Sequence, residues 1–391
     1  MIPELREKFN AEFKQEVYEQ FLEDVNTSLK YPTDFRVSET PIFLSEDFNN
    51  KLLAACSQVC EQIQSNEFKN KSNGAIPPHL IVPNEDEHTQ FFQLDFAICK
   101  SGDGTFYPKL IELQGFPSLY GFQSFINERI RKYFDIPENF SSYFSGLKGE
   151  TYRDVFKRII LGSSDPENVI LLEIDPAKQK TRIDFAATEK LTGIHLVCIT
   201  DIIKKGKKLF YKKDGIEIPI ERIYNRVIFD ELNRKEIDFN FDFRYELDVK
   251  WLAHPNWFFK ISKYSLPSLK GKYVPKCYFL NELDEYPDEL ENYVLKPLFS
   301  FAGLGVEIDL TKEMINSIDD PENYILQEKV EYAPLIKTPD GYSKVEIRMM
   351  FLWDDKPQLV NNLVRMSKGK MIGVDYNKNK SWVGSTIAFH P

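Results

Sequence analysis

Two stretches of the chain hold side chains whose types and spacing suit the handling of a charged ligand. Residues 91–114 read FFQLDFAICKSGDGTFYPKLIELQ, two alternating runs around Ser101-Gly102-Asp103-Gly104, the pattern of a β-hairpin. With Gly102 and Asp103 at the turn centre, Asp95 lies opposite Leu110 and Gln93 opposite Glu112. Phe92, Leu94, Phe96, Ile98, Ile111 and Leu113 then share one face, and Gln93, Asp95, Glu112 and Gln114 the other. Asp95 and Glu112 become diagonal neighbours about 7 Å apart at Cβ, close enough to reach one cation. Mg²⁺ takes oxygen ligands, commonly one or two carboxylates completed by phosphates and water. A solvated polar sheet face fits the same pattern, and a one-residue change in the turn puts Asp95 on the face away from Glu112.

The second stretch, 293–332, contains NYVLKPLFSFAGLGVEID and, after a helical segment, YILQEKVEY. A short strand ending at Lys296-Pro297 leads into a loop with Ser300, Ala302, Gly303 and Gly305, then a second strand, Val306 to Leu310. Small residues in such a loop let backbone N–H groups approach a bulky anion, and Lys296 adds a point charge at its base. An ordinary hairpin loop also uses these residues. Tyr324 to Val330 is an apolar strand turning polar at Gln327-Glu328, as an edge facing a flat heterocycle would.

The elements around these stretches follow from periodicity. Phe9, Phe13, Val17, Phe21 and Val25 recur at steps of four, predicting one amphipathic helix over 4–29. A second helix, about 46–65, begins after Ser45 and puts Leu52, Leu53, Cys56, Val59 and Cys60 on one side. A helix over 118–134 follows the first hairpin. In 151–250, NVILLEID, KTRIDFAATEKLTGI closed by Gly193, and HLVCITDI read as a βαβ unit, followed by a hairpin at Asp214-Gly215 and the strand IYNR. The Lys cluster 204–213 reads as a solvated loop. Residues 344–367 form a hairpin about Asp355-Lys356 in which Glu346 faces Arg365 and Arg348 faces Leu363.

Composition narrows the functions. A chain of 391 residues is long enough for two or three domains. With 60 acidic against 50 basic residues the formal net charge is -10, which disfavours general nucleic-acid binding or an anionic membrane surface. Five scattered cysteines do not form a disulfide framework, and Cys56 and Cys60 lack the partner doublet of a zinc site. No apolar run approaches the ~20 residues of a membrane span, and MIPELREKFNAEF lacks a signal-type apolar core, so a reducing, cytoplasmic setting is expected. The five histidines are isolated, and no GxSxG, Walker A, GxGxxG or protein-kinase motif set is present.

Asp95, a Gly-containing turn, a strand, Glu112-x-Gln114 and a Pro-Ser-Leu helix start together resemble the metal-binding hairpin of the circularly permuted ATP-grasp proteins, typified by glutathionylspermidine synthetase. Asn362-Leu363-x-Arg365, a glycine-containing loop and Lys380-x-Trp382-Val383 resemble the closing segment of that family. The resemblance implies an α+β, α/β chain: a permuted ATP-grasp fold with an inserted Rossmann-like domain. The parts would be an N-terminal helix (1–30), a first ligase portion with the metal hairpin (31–150), the inserted domain (151–250) and a second ligase portion (251–391).

It further implies an ADP-forming carboxylate–amine or carboxylate–thiol ligase that works through an acyl phosphate. Asp95, Glu112 and Gln114 would hold Mg²⁺. Lys263, Lys296, Ser300, Ala302, Gly303, Gly305, Gln327, Glu328 and Lys380 would hold ATP. Arg365, with Lys296, would act on the transferring phosphoryl group. Where the family usually has Asn this chain has Gln114, and where it often has Arg this chain has Gln93. Those departures keep two other readings open: a nucleotide-binding protein whose catalysis has lapsed, and a phosphotransferase acting on a hydroxyl.

Overall fold

The two hairpins form where their alternation predicts, the first in a different register, and they join edge to edge. In the computed structural model, which describes residues 1–300, 304–369, 372, 377 and 379–391, with Asp230 and Asn233 described by backbone alone, the strand Phe91–Lys100 pairs with Phe106–Gln114 on one side and with Gly341–Trp353 on the other. Pro357–Ser367 and Gly384–Thr386 continue this antiparallel sheet, and Ile336–Thr338 adds to the start of Gly341–Trp353. One face is apolar throughout. Phe92, Leu94, Phe96, Ile347 and Met349 are fully buried there, packed with the helix Glu46–Ile63. Ser45 caps that helix by accepting from the Phe48 N–H, and Leu53, expected on its inner side, is exposed.

The opposite face changes character along the strands. Phe91, Met350 and Leu352 are apolar at one end, whereas Asp95, Glu346, Arg348 and Arg365 are charged in the middle.

Residues 169–252 supply a four-stranded parallel sheet in the order Lys250–Leu252, Arg222–Asn225, Val169–Glu173, His195–Cys198. The βαβ unit is as expected, with the helix Arg182–Thr192 ended by Gly193 at φ 80°. The strand Lys250–Leu252 lies astride the expected boundary at 250/251. The Lys cluster is not a loop: Ile203–Lys205 and Lys208–Lys213 pair as strands, and Ile216–Ile220 follows across the Asp214-Gly215 turn. A third sheet orders Cys277–Phe279, Tyr324–Glu328 and Tyr293–Pro297.

Two other expectations are corrected. The N-terminal helix is two helices, Pro3–Glu12 and Gln15–Thr27, because Phe13 turns extended (ψ 132°) and packs its ring on Trp382 with centroids 4.6 Å apart. Val306 to Leu310 is no strand: it makes a single bridge, Leu295 with Glu307.

The helix Tyr120–Tyr133 couples the sheets, because Asp184 of the parallel-sheet unit is fully buried and accepts the Leu119 and Phe122 N–H groups at 3.0 and 2.9 Å. A side chain at Gly121 would meet Thr188 Oγ1 at 2.6 Å, so only glycine lets the two helices approach this closely. Asp184→Ala strands these donors in the interior and is expected to lower stability by about 2–3 kcal/mol, read as a reduced midpoint in urea unfolding followed by circular dichroism.

Candidate functional site

The first hairpin positions its carboxylates through two compensating irregularities. Its turn is longer than expected, with Ser101 N–H bonded to the Thr105 carbonyl, so Lys100 pairs with Phe106. That change alone would turn Glu112 away from Asp95. A bulge at Ile111 shifts the register again, and Asp95 ends directly opposite Glu112, with Gln93 opposite Gln114. The correction to the expected pairing is therefore a bulge, and it keeps all four residues on one face. The bulge leaves Ile111 outside the apolar layer, where its carbonyl accepts from Lys296 Nζ at 3.2 Å and from Gln327 Nε2 at 3.4 Å. The third sheet is thereby tied to the hairpin.

Asp95 is 1% exposed, and both of its oxygens are engaged. Arg348, directly across the strand pair, grips it in a fork, Nε to Oδ1 at 2.7 Å and Nη2 to Oδ2 at 2.6 Å. Arg365 Nη2 bonds Asp95 Oδ2 as well and reaches Glu346 Oε1 at 2.6 Å. Tyr332 donates its hydroxyl to Glu346. The Glu346–Arg365 pairing is as the hairpin pattern predicts.

Burial pushes the Asp95 carboxyl up, but the two guanidinium groups outweigh it and hold the carboxyl below the usual range. Burial also raises Glu346, against the pull of Arg365. For Arg365, burial opposes the charge while Glu346 and Asp95 over-compensate and raise its pKa. Its Nε has no acceptor, yet 35% of the side chain is exposed.

Lys263 and Lys296 arrive from a different part of the chain. Ser262 caps the short helical segment Lys263–Ser268 by accepting from the Tyr264 N–H, and Lys263 Nζ donates to the Ser300 carbonyl. Both lysines are buried, at 7% and 8% exposure, and among the described residues neither has a carboxylate within ion-pair reach. Burial lowers both pKa values, offset in part by Glu112, and Lys263 lowers Lys296 further. Glu112, Gln114, Lys263 and Ser300 line one cleft with Phe116 and Phe299. Its enclosed free volume is about 20 Å³, the scale of a water molecule.

The remaining expected residues divide. Gly305 stands at φ 72° against Pro297, and Ala302 and Gly303 lie outside the described residues. The strand carrying Gln327 and Glu328 is not an edge: it is the central strand of its sheet, paired on both sides, with Glu328 N–H bonded to the Lys276 carbonyl. Lys380 bonds Asn377 through its backbone, and among the described residues no bond joins its side chain to the charged cluster. Asn362 ties Ser142 to Ala388, and the Trp382 N–H is held by Glu39, so both are structural.

A cation at this site tests the expected ligands. Guanidinium N–H groups already take three of the roughly four lone-pair positions of the Asp95 carboxylate, and these positive neighbours repel a metal. Asp95 therefore does not fit as a ligand. Glu112 does, since it is half-buried, faces two lysines and among the described residues bonds only Gln114 Nε2 at 2.8 Å, leaving the Gln114 carbonyl oxygen for a second contact. Among the described residues no three His, Cys, Asp or Glu side chains cluster as a metal site.

Two buried arginines near the site were not singled out by the sequence. Arg348 carries no motif of its own. Arg226, which follows the strand Arg222–Asn225, is 5% exposed and stacks over Phe116 (4.5 Å) and Phe185 (5.4 Å). Among the described residues its Nε and Nη1 have no acceptor, and Nη2 reaches Thr181 Oγ1 at 3.5 Å. Its position after Tyr-Asn at a strand end was the available signal.

No family model matches the chain, and no curated protein matches it in sequence. Among solved structures, it is similar to a glutathione synthetase-like effector from Globodera pallida in its apo form, at TM-score 0.57 and 9% identity, with 96% of each chain covered. The likeness is one of fold alone: a mixed α/β chain of several sheets. No helix among the described residues is long and apolar enough to cross a membrane.

Glu173, near Arg226, is buried, which pushes its carboxyl up to about 8. A carboxyl raised in the folded state stabilises fully below the ordinary value near 4.5 and loses that contribution as pH rises through about 8. Glu173→Gln is expected to gain a few kcal/mol over the wild type at pH 9 and little at pH 5, measured by urea unfolding at both pH values.

Proposed function

We propose that the chain is an ATP-grasp ligase that joins a carboxylate to an amine or thiol with release of ADP. The observation that carries this reading is the pair of buried lysines, Lys263 and Lys296, which among the described residues have no carboxylate within ion-pair reach and lie near Glu112. Burial favours the neutral form of each lysine, and an anion of more than one charge between them, such as a nucleotide phosphate chain, would favour the charged form. Glu112 and the Gln114 carbonyl would hold Mg²⁺, which screens phosphate charge when bound.

In this reading the acid carboxylate attacks the γ-phosphorus, the bond to the β-phosphate oxygen breaks, and ADP leaves. The amine or thiol then adds to the acyl carbon, loses its proton and displaces inorganic phosphate. The chain's own work is orientation and charge stabilisation. Lys263 and Lys296 neutralise the phosphates. The exposed part of Arg365 is offered to the transferring group. The open N–H groups of Arg226, behind the Phe116 wall, suit a carboxylate of the acid substrate. The cleft is too narrow for a nucleotide as it stands, so binding requires the third sheet to move away from the hairpin. With the five cysteines all free, a cytoplasmic setting belongs to this reading.

The narrowness of the cleft and the engagement of Asp95 favour, as a second reading, a nucleotide-binding protein without turnover. Incubation with Mg²⁺-ATP and pools of acids, amines and thiols separates the two. ADP release that needs both an added acid and an added nucleophile is expected, with Arg226→Ala raising KM for the acid tenfold or more (~1.4 kcal/mol). ATP binding without turnover in every pool supports the lapsed protein, and a stable phosphorylated product would instead mark a phosphotransferase.

A further inference from the structure

The charged middle of the central sheet holds more guanidinium than the ligase reading uses. Asp95 is the partner of two arginines at once, and the three groups come from three adjacent strands. Arg348 is 5% exposed and spends Nε and Nη2 on Asp95, so it adds no outward contact through those atoms. Arg365 differs. One nitrogen, Nη2, is pinned by Asp95 and Glu346 together, while Nε is unpartnered and the side chain remains 35% exposed. A long, flexible side chain held at one nitrogen by two fixed carboxylates loses its rotamer freedom before any ligand arrives. Its remaining N–H groups are then oriented in advance.

We propose that Asp95 is a positioning residue and not a cation ligand. Clamped by Arg348, it fixes Arg365 as a preformed site for the transferring phosphoryl group and leaves the cation to Glu112 and Gln114. This assignment rests on the nucleotide reading above. It divides the two opposed carboxylates of the first hairpin between two tasks. Asp95 faces the guanidinium layer at 1% exposure. Glu112 stands on the outer strand, half-buried, on the lysine side of the cleft. The bulge at Ile111 is what lets directly opposed residues serve different neighbours, since it re-aims the outer strand toward Lys296. The Gln93 side chain carries no charge and donates to the Ser118 carbonyl at 2.7 Å. Arg348 therefore meets no cationic rival from that strand position.

Two binding measurements on the full chain test the assignment without relying on turnover. The first is retention of Mn²⁺ with a non-hydrolysable ATP analogue, read by electron paramagnetic resonance. The second is affinity for ADP with aluminium fluoride, a mimic of the transferring phosphoryl group, compared with ADP alone. Glu112→Gln is expected to weaken Mn²⁺ retention about tenfold or more, and Asp95→Asn to change it by less than about twofold. Asp95→Asn and Arg365→Gln are each expected to weaken the fluoride complex about tenfold or more while leaving ADP affinity in place.

Because Asp95→Asn leaves two arginines without their counter-charge, the double variant D95N/R348Q, which removes both charges of the fork, is measured beside it and is expected to retain Mn²⁺ equally. Loss of Mn²⁺ retention in Asp95→Asn or the double variant as large as in Glu112→Gln overturns the proposal. So does a fluoride complex that neither Asp95→Asn nor Arg365→Gln weakens. A wild-type chain that retains no Mn²⁺-nucleotide at all overturns the ligase reading itself, and this assignment with it.

Discussion

The fork between Arg348 and Asp95 is the interaction on which the rest of the site depends. It links two strands whose residues stand 253 positions apart in the chain, and it is what makes two separate hairpins into one sheet with a charged centre. A buried ion pair adds little net stability, because desolvation consumes most of the Coulombic gain. Its value here is geometric. A one-residue slip between Phe91–Lys100 and Gly341–Trp353 would send Asp95 and Arg348 to opposite faces and leave each charge unpaired in the interior. The pair therefore makes the wrong register expensive, and the correct register places Arg365, Glu346 and Tyr332 around the same point.

From that point the architecture reads outward. The apolar face of the sheet is covered by Glu46–Ile63 and secures the strands. The parallel-sheet unit is locked on through Asp184, which holds the start of Tyr120–Tyr133. The third sheet meets the hairpin at the Ile111 carbonyl, which accepts from Lys296 and Gln327, and through the apolar core that its residues Cys277 and Ile325 share with Leu94 and Leu113. The cleft lies where the end of Phe106–Gln114 faces Lys263 and the turn 298–300.

Much of this was legible in the sequence, and the missing parts share a cause. Alternation alone defined both hairpins, put Gln93, Asp95, Glu112 and Gln114 on one face, and set Glu346 against Arg365, because those are local consequences of a period of two. The βαβ unit was equally local. What periodicity does not encode is which strand edges meet, so the partner of Asp95 was invisible and a carboxylate on a polar face read as a cation ligand. The bulge at Ile111 was hidden because FYPKLIELQ alternates imperfectly in any register. The break at Phe13 was hidden because its apolar side chain keeps the helical period while its backbone leaves the helix to reach Trp382, 369 positions later in the numbering. The strand with Gln327 read as an edge since polar residues close it, yet Gln327 is 1% exposed and points inward.

The central claim is that Glu112 of the first hairpin, through a cation, and Lys263 and Lys296 serve one anion. A diffraction structure of the chain with a non-hydrolysable ATP analogue and Mg²⁺ tests it most directly. Phosphate oxygens within hydrogen-bond distance of Lys263 Nζ and Lys296 Nζ, with Glu112 on the same phosphate group's cation and Asp95 still in the Arg348 fork, is the expected result. A nucleotide bound elsewhere, with the two lysines still donating to Ser300 and Ile111 alone, would contradict it.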